Sequence, residues 1–197
     1  MRPVPRWALV SSGCAPLLLA GGWVTAARLE GAAYDPATQT ISVLGAYGAE
    51  GFWVMSTALL ALGVCHLLTA WGLRPAARAG RVALALGGVA AFAVVLLPAP
   101  SSGGSLRHSS VAVVGFAVLA LWPVLAAHRQ GAAPWGLRPV PAFLATALMA
   151  LGAVWFLIEI HRQGTPGAAE RLVTWMQSVW PFVVVASCLR FSADERP

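Results

Sequence analysis

Apolar and polar positions in this chain are sorted into long blocks. Six apolar stretches, near residues 7–27, 51–73, 82–98, 109–127, 140–160 and 172–189, are separated by short segments that hold almost every charge. A helix that crosses the hydrocarbon core of a bilayer needs about 20 mainly apolar residues, and each stretch comes close to that length. The pattern predicts an all-α, polytopic integral membrane protein, a six-helix bundle forming a single domain over residues 1–197. Within the spans, Gly21-Gly22, Gly63 and Gly87-Gly88 suit close helix approach, because lipid removes the apolar driving force between helices. Pro16, Pro123 and Pro181 fall inside spans, where local kinks are expected.

The longest connection, residues 28–50 between the first two spans, is not an ordinary polar linker. Ile41, Leu44 and Tyr47 recur every three residues, as along one face of a short helix. Asp35-Pro36 is placed to begin that helix, with the aspartate as cap and the proline at the first position, and Gly45 and Gly48 to end it. The expectation is a short interfacial or re-entrant helix folded over one mouth of the bundle.

Composition sharpens the class. Hydrophobic residues make up 58% of the chain and charged residues 10%, which is implausible for a water-soluble fold. All thirteen basic residues are arginine. Six crossings place both termini on one side, with nine arginines against two acids there and four against five on the other, leaving +7 and −1. Arginine-rich short loops stay cytoplasmic, so a multi-pass protein of the cell membrane with both termini inside is predicted. Arg2 and Arg6 also resemble the start of a secretory leader, but removing the first span would place the C-terminus outside, against the arginine count. The high pI follows from topology, and no basic, aromatic-interleaved segment suggests nucleic acid. Cys14, Cys65 and Cys188 lie within spans at different depths, as small packing residues, with no disulfide framework or zinc spacing. No histidine pair has ligand spacing, and no P-loop, dinucleotide fingerprint or G-x-S-x-G elbow is present, so neither metal nor cofactor is expected.

Polar groups at membrane depth are expensive and so informative. Glu159 stands near the end of the fifth span, one turn before Arg162; a surface ion pair is the plain reading. A carboxylate turned into the bundle, with Trp155 one turn deeper and His161 nearby, is the functional one. Glu170, Thr174, Gln177, Ser178 and Pro181 form one continuous stripe on the sixth helix. Such a stripe faces protein or water, either as interhelical hydrogen bonding or as the lining of a cavity. His108 opens the fourth span at the depth of Glu159, Glu170 and the Asp35–Ser42 loop, whereas His66 sits deeper as a packing residue. Of nine tryptophans, Trp7, Trp71 and Trp135 suit one aromatic belt. Trp23, Trp53, Trp155 and Trp175 suit either the opposite belt or an aromatic pocket wall.

The run Asp35-Pro36…Thr40-Ile41-Ser42-Val43-Leu44-Gly45, followed by His108 at the fourth helix and Gly167-Ala-Ala-Glu170-Arg171 at the sixth, resembles a bacterial and archaeal membrane family known as domain of unknown function 998. The resemblance covers nearly the whole chain, in helix count, loop lengths and the order of short motifs. Members of that family often carry an acidic residue after the third helix, where this chain has Pro98-Ala-Pro100-Ser-Ser, so no role is carried over there. The Ile-Ser-x-x-Gly loop and the fourth-helix histidine are also similar to the Frag-type and DRAM-type six-span proteins, several of them tied to lipid handling; that link is an analogy of fold.

Together these readings predict a membrane protein, surrounded by membrane lipids, that binds or handles a lipid or other hydrophobic or amphipathic small molecule at an outward-facing polar site. Asp35, Ser42, Arg107, Arg162, Arg171, Trp155, Trp175 and Gln177 are the expected ligand-binding residues, the arginines as a clamp for an anionic headgroup. The alternative is an intramembrane enzyme using Glu170, Glu159 and His108 for proton transfer on an isoprenoid or lipid, for example a cyclase. A small transporter is the third class, although an inverted repeat and a broken helix are both missing.

Overall fold

A computed structural model describes residues 4–100, 104–128 and 132–194. Its helices are α1 (Arg6–Glu30), α2 (Ile41–Leu44), α3 (Phe52–Gly72), α4 (Arg78–Leu96), α5 (Leu106–Ala126), α6 (Pro139–Arg162) and α7 (Pro166–Asp194), with single 3-10 turns at Gly31–Ala33 and Trp135–Leu137. Among the described residues there is no strand. All but α2 are long and apolar enough to cross a membrane. The protein is a six-helix membrane bundle.

Several helices extend beyond the apolar runs: α1, α6 and α7 at both ends, and α4 and α5 at their starts. The last runs from Pro166 to Asp194, because polar and charged residues continue a helix into the headgroup region as readily as apolar ones. The helices continue through Pro16, Pro123 and Pro181.

Each long helix packs on its neighbours in sequence, and α7 returns to α1, so the six form a closed ring. Small residues set the spacing. A Cβ at Gly22 would lie 2.3 Å from that of Ala58 in α3, and one at Gly80 would lie 2.3 Å from the Cα of Ala126 in α5. Gly63 and Gly88 pack backbone on backbone between α3 and α4, a Cβ on either falling 2.7–2.8 Å from the other's carbonyl oxygen. Outward faces carry exposed Val10, Leu17, Val64, Leu86, Val89, Leu148 and Leu151, an arrangement that water would penalise and acyl chains accept.

Two buried clusters fill the ring. One, with Leu73, Leu84, Trp122, Leu137 and Val184, lies at the end where α3 turns into α4. There Arg81 caps α3 by donating from Nε to the Ala70 carbonyl at 2.8 Å, and the His128 ring bonds the Pro75 carbonyl. The other cluster, with Leu19, Tyr34, Ile41, Leu44 and Met55, lies beneath the α1–α3 loop. The loop helix is a single turn starting at Ile41, not at Asp35-Pro36. Ile41 and Leu44 point into the bundle, but Tyr47 falls beyond the terminating Gly45 and is 65% exposed. Asp35 instead makes a local turn, accepting the Ala37 N–H at 2.9 Å and the Thr38 hydroxyl at 2.8 Å.

Candidate functional site

The first turns of α7 hold the loop from several directions. Gly167 lets the backbones meet: a Cβ there would stand 2.1 Å from the Gln39 carbonyl oxygen and 2.6 Å from that of Pro36. One residue on, the Ala168 N–H donates to the Ala37 carbonyl at 3.0 Å. Arg171 donates through Nη1 to the carbonyls of Pro36 (2.7 Å), Gln39 (3.0 Å) and Gly167 (2.9 Å), and through Nη2 to the Tyr34 hydroxyl. Its guanidinium also lies 5.7 Å from the Tyr34 ring centre. Tyr34 donates in turn to the carbonyls of Gln39 and Thr40, each at 3.1 Å.

Glu170 reaches deeper. It is 5% exposed, and its Oε2 accepts the N–H of Ile41, the first residue of α2. The Thr40 side chain makes no capping bond there, so a carboxylate from another helix supplies the cap. Glu170 Oε1 lies 3.4 Å from the Ser42 hydroxyl, and Ser42 Oγ is 3.1 Å from His108 Nε2. His108 Nδ1 is 2.9 Å from the Leu97 carbonyl oxygen, beyond the end of α4. Four elements thus meet in one chain: Leu97, His108, Ser42 and Glu170.

The proton positions in this chain are constrained. The Leu97 carbonyl can only accept, so His108 Nδ1 donates. Ser42 has one hydroxyl proton for two neighbours. Every contact is satisfied when a protonated His108 donates to Ser42 and Ser42 donates to an ionised Glu170. Every contact is equally satisfied when a protonated Glu170 donates to Ser42 and Ser42 donates to a neutral His108. The two arrangements hold the same number of protons, differ by a relay through Ser42, and leave the Glu170–His108 pair with no net charge.

Two cavities meet at this chain. A cavity of about 120 Å³ inside the ring has Ser42, His108 and Glu170 at one end and reaches His66, with Ser56, Thr174 and Gln177 along it. A larger groove of about 940 Å³ runs between α5 and α6 and shares Ser42, His108, Phe116 and Glu170 with the first. Its walls are apolar, among them Val113, Leu121, Leu157 and Ile160, all exposed on the bundle surface. Thr38, Thr40, Ser105 and Ser109 surround its polar end.

The expected site residues separate into groups. Ser42, His108 and Glu170 come together, and the α7 stripe turns inward with them: Gln177 is buried and donates to the Phe116 carbonyl at 3.0 Å, and Ser178 and Pro181 are buried. Asp35 and Arg171 shape the loop. Glu159 does not join the cluster. It closes the α6–α7 turn, accepting from the Thr165 N–H at 2.7 Å and from Trp155 Nε1 at 3.2 Å, so Trp155 bonds it from the same helix without walling the groove. Arg107, Arg162, His161 and Trp175 are exposed and line neither cavity. The three arginines therefore form no common clamp. Leu97, Thr40 and Ser105 join the site without a signal in the spacing; each follows from where a helix ends. Among the described residues, no group of three or more potential metal ligands stands together.

No curated protein and no solved structure matches the chain. The loop, the helix-opening histidine and the Glu170-Arg171 pair that the fold gathers at one end all lie within residues 13–187, the span matched by the family described as "Protein of unknown function (DUF998)", and the chain belongs to that family.

Proposed function

We propose that this protein binds or handles a lipid or other amphipathic molecule in the groove between α5 and α6. The observation that carries the reading is the groove itself: about 940 Å³ of apolar channel that ends on half-buried Ser42 and buried His108 and Glu170, all hydrogen-bonded. Its volume suits a small-molecule site, and polar groups confined to one end suit a ligand with one polar end. In the orientation favoured by the arginine count, that end faces the outer leaflet. Native mass spectrometry of the protein extracted from membranes, followed by lipid extraction, tests this. A retained amphipath lost on filling the groove, as in Ala117→Trp, supports the reading; a folded protein that never retains one argues for a structural role.

The proton relay favours a second reading, an intramembrane enzyme that uses Glu170 and His108 as an acid–base pair on an isoprenoid or lipid. Ser42 can pass the chain's one mobile proton between Glu170 and His108, so one group can stand as the acid while the other stands as the base, as general acid–base catalysis requires. A proton given to the ligand at one group is balanced by one taken from it at the other. The discriminating measurement is turnover: product formed from an added ligand by the native protein and not by Ser42→Ala, with ligand binding retained in both.

A further inference from the structure

We infer that the α5–α6 groove selects an amphipath whose polar end is an uncharged hydroxyl-bearing group, and disfavours one ending in phosphate. The inference rests on the reading of the groove as an amphipath site and adds the chemistry of the ligand's polar end.

Charge at the polar end of the groove is the first reason. Among the described lining residues the only ionisable groups are His108 and Glu170, and no arginine is present. Arg171 stands next to Glu170, but its guanidinium is turned to the carbonyls of Pro36, Gln39 and Gly167 and to Tyr34. Arg107 and Arg162 are exposed and outside the lining.

The hydrogen-bond chain gives the second reason. Both of its satisfied proton arrangements leave Glu170 and His108 together without net charge. A phosphate in the groove would meet no cation in one arrangement, and in the other it would meet an imidazolium whose charge the Glu170 carboxylate already balances through Ser42. Uncompensated burial of an ion is strongly unfavourable, and proteins that bind phosphate supply guanidinium forks or ammonium groups for it.

What the polar end does supply is hydroxyl chemistry. Thr40 and Ser109 stand at the mouth beside Ser42, and each hydroxyl both donates and accepts. An alcohol has the same dual character and can complete such a set without bringing charge. Long-chain isoprenoid alcohols and monoacylglycerols share this polar end and differ in the tail, so the tail is read separately from the head.

The test uses the full chain in lipid nanodiscs and a photoreactive diazirine analogue of monooleoylglycerol. Unlabelled competitors are monooleoylglycerol and geranylgeraniol on one side, and oleoyl lysophosphatidic acid and geranylgeranyl phosphate on the other. The expected result is labelling on α5 and α6 facing the groove, with the alcohols competing about tenfold or more better than the matched phosphates. Better competition by geranylgeraniol than by monooleoylglycerol assigns an isoprenoid tail, and the reverse an acyl tail; either supports the hydroxyl head. Phosphates that compete as well as or better than the alcohols overturn the inference while leaving the amphipath reading in place. No groove labelling and no competition by any of the four, in protein with an unchanged melting transition, overturns both.

Discussion

Glu170 and Arg171, adjacent on α7, hold the same loop by opposite chemistry. Glu170 accepts the N–H at the start of α2, and Arg171 donates to carbonyls that precede it. Neighbours on a helix project about 100° apart, so one pair of residues grips the loop at two places while only the carboxylate enters the bundle. The polarity of each grip matches the backbone it meets, which makes the two side chains non-interchangeable.

Glu170→Ala removes the acceptor for the buried Ile41 N–H and is expected to destabilise the loop-end packing by about 1–3 kcal/mol. Glu170→Gln retains an amide oxygen for that N–H and is expected to preserve most of the stability. It breaks the relay with Ser42, because an amide cannot exchange a proton in this way. Thermal melting of both variants in detergent, beside a ligand-retention or turnover assay, separates the two effects. Equal stability of Glu170→Ala and the native protein would remove the capping role.

Gly167→Ala places a methyl group against the carbonyls of Gln39 and Pro36. Those carbonyls are backbone and already held by Arg171, so the strain is expected to push the loop off α7, at about 1–3 kcal/mol. Hydrogen–deuterium exchange over Ile41–Leu44 should accelerate while α3 and α4 stay protected. Unchanged exchange would mean that the close approach is not required.

The loop also has a defined pH window. Hydrogen bonds from the Ala37 N–H and the Thr38 hydroxyl hold the Asp35 carboxyl below its usual value of 3.8. Its contribution is therefore present above that value and lost as pH falls through the lower folded one. Burial raises the Tyr34 phenol above 10.0, so its contribution is present below that value and lost as pH rises through the higher folded one. Exchange of residues 34–44, corrected for intrinsic rate, should be slowest between these limits, and Asp35→Asn should abolish the acid limb alone.

Much of this was legible in the residues, and the remainder has physical reasons. Block hydropathy announced six spans, and the helix ends were less legible because a helix does not stop where apolarity stops; Arg78 and Pro166 start helices well before the apolar runs. Ile41 and Leu44 were readable as loop anchors. Tyr47 was not separable from them by period alone, since Gly45 ends the turn first. His108 and Glu170 were legible as costly polar groups at one depth. Their meeting through Ser42 was not, because contacts across 66 and 128 residues leave no trace in spacing. Glu159 misleads for the opposite reason: its partners are the nearby Trp155 and Thr165.

Orientation is open to direct measurement. In a background lacking Cys14, Cys65 and Cys188, cysteine at Thr165 or Gly104 is expected to react with an impermeant thiol reagent in intact cells, whereas cysteine at Ala132 or Arg74 is not. The reverse pattern would place the groove's polar end in the cytoplasm.

The glycines that let helices touch are unevenly shared around the ring. Gly22, Gly51 and Gly72 bring α1 and α3 together, Gly63 and Gly88 join α3 to α4, Gly80, Gly87 and Gly115 join α4 to α5, Gly152 joins α6 to α7, and Gly13 meets Phe182 where α7 returns to α1. Among the described residues no glycine stands between α5 and α6. Backbone atoms meet at the α1–α3, α3–α4 and α4–α5 seams, the glycines of α6–α7 and α7–α1 meet side chains, and the α5–α6 seam is closed by the Phe116–Phe156 stack and by the Val124 N–H donating to the Thr146 hydroxyl. The groove follows that glycine-free seam, so under the proposed reading a chain entering sideways from the bilayer would meet the junction of the hoop that a ring stack and one side-chain hydrogen bond hold, where its neighbours are held by glycine.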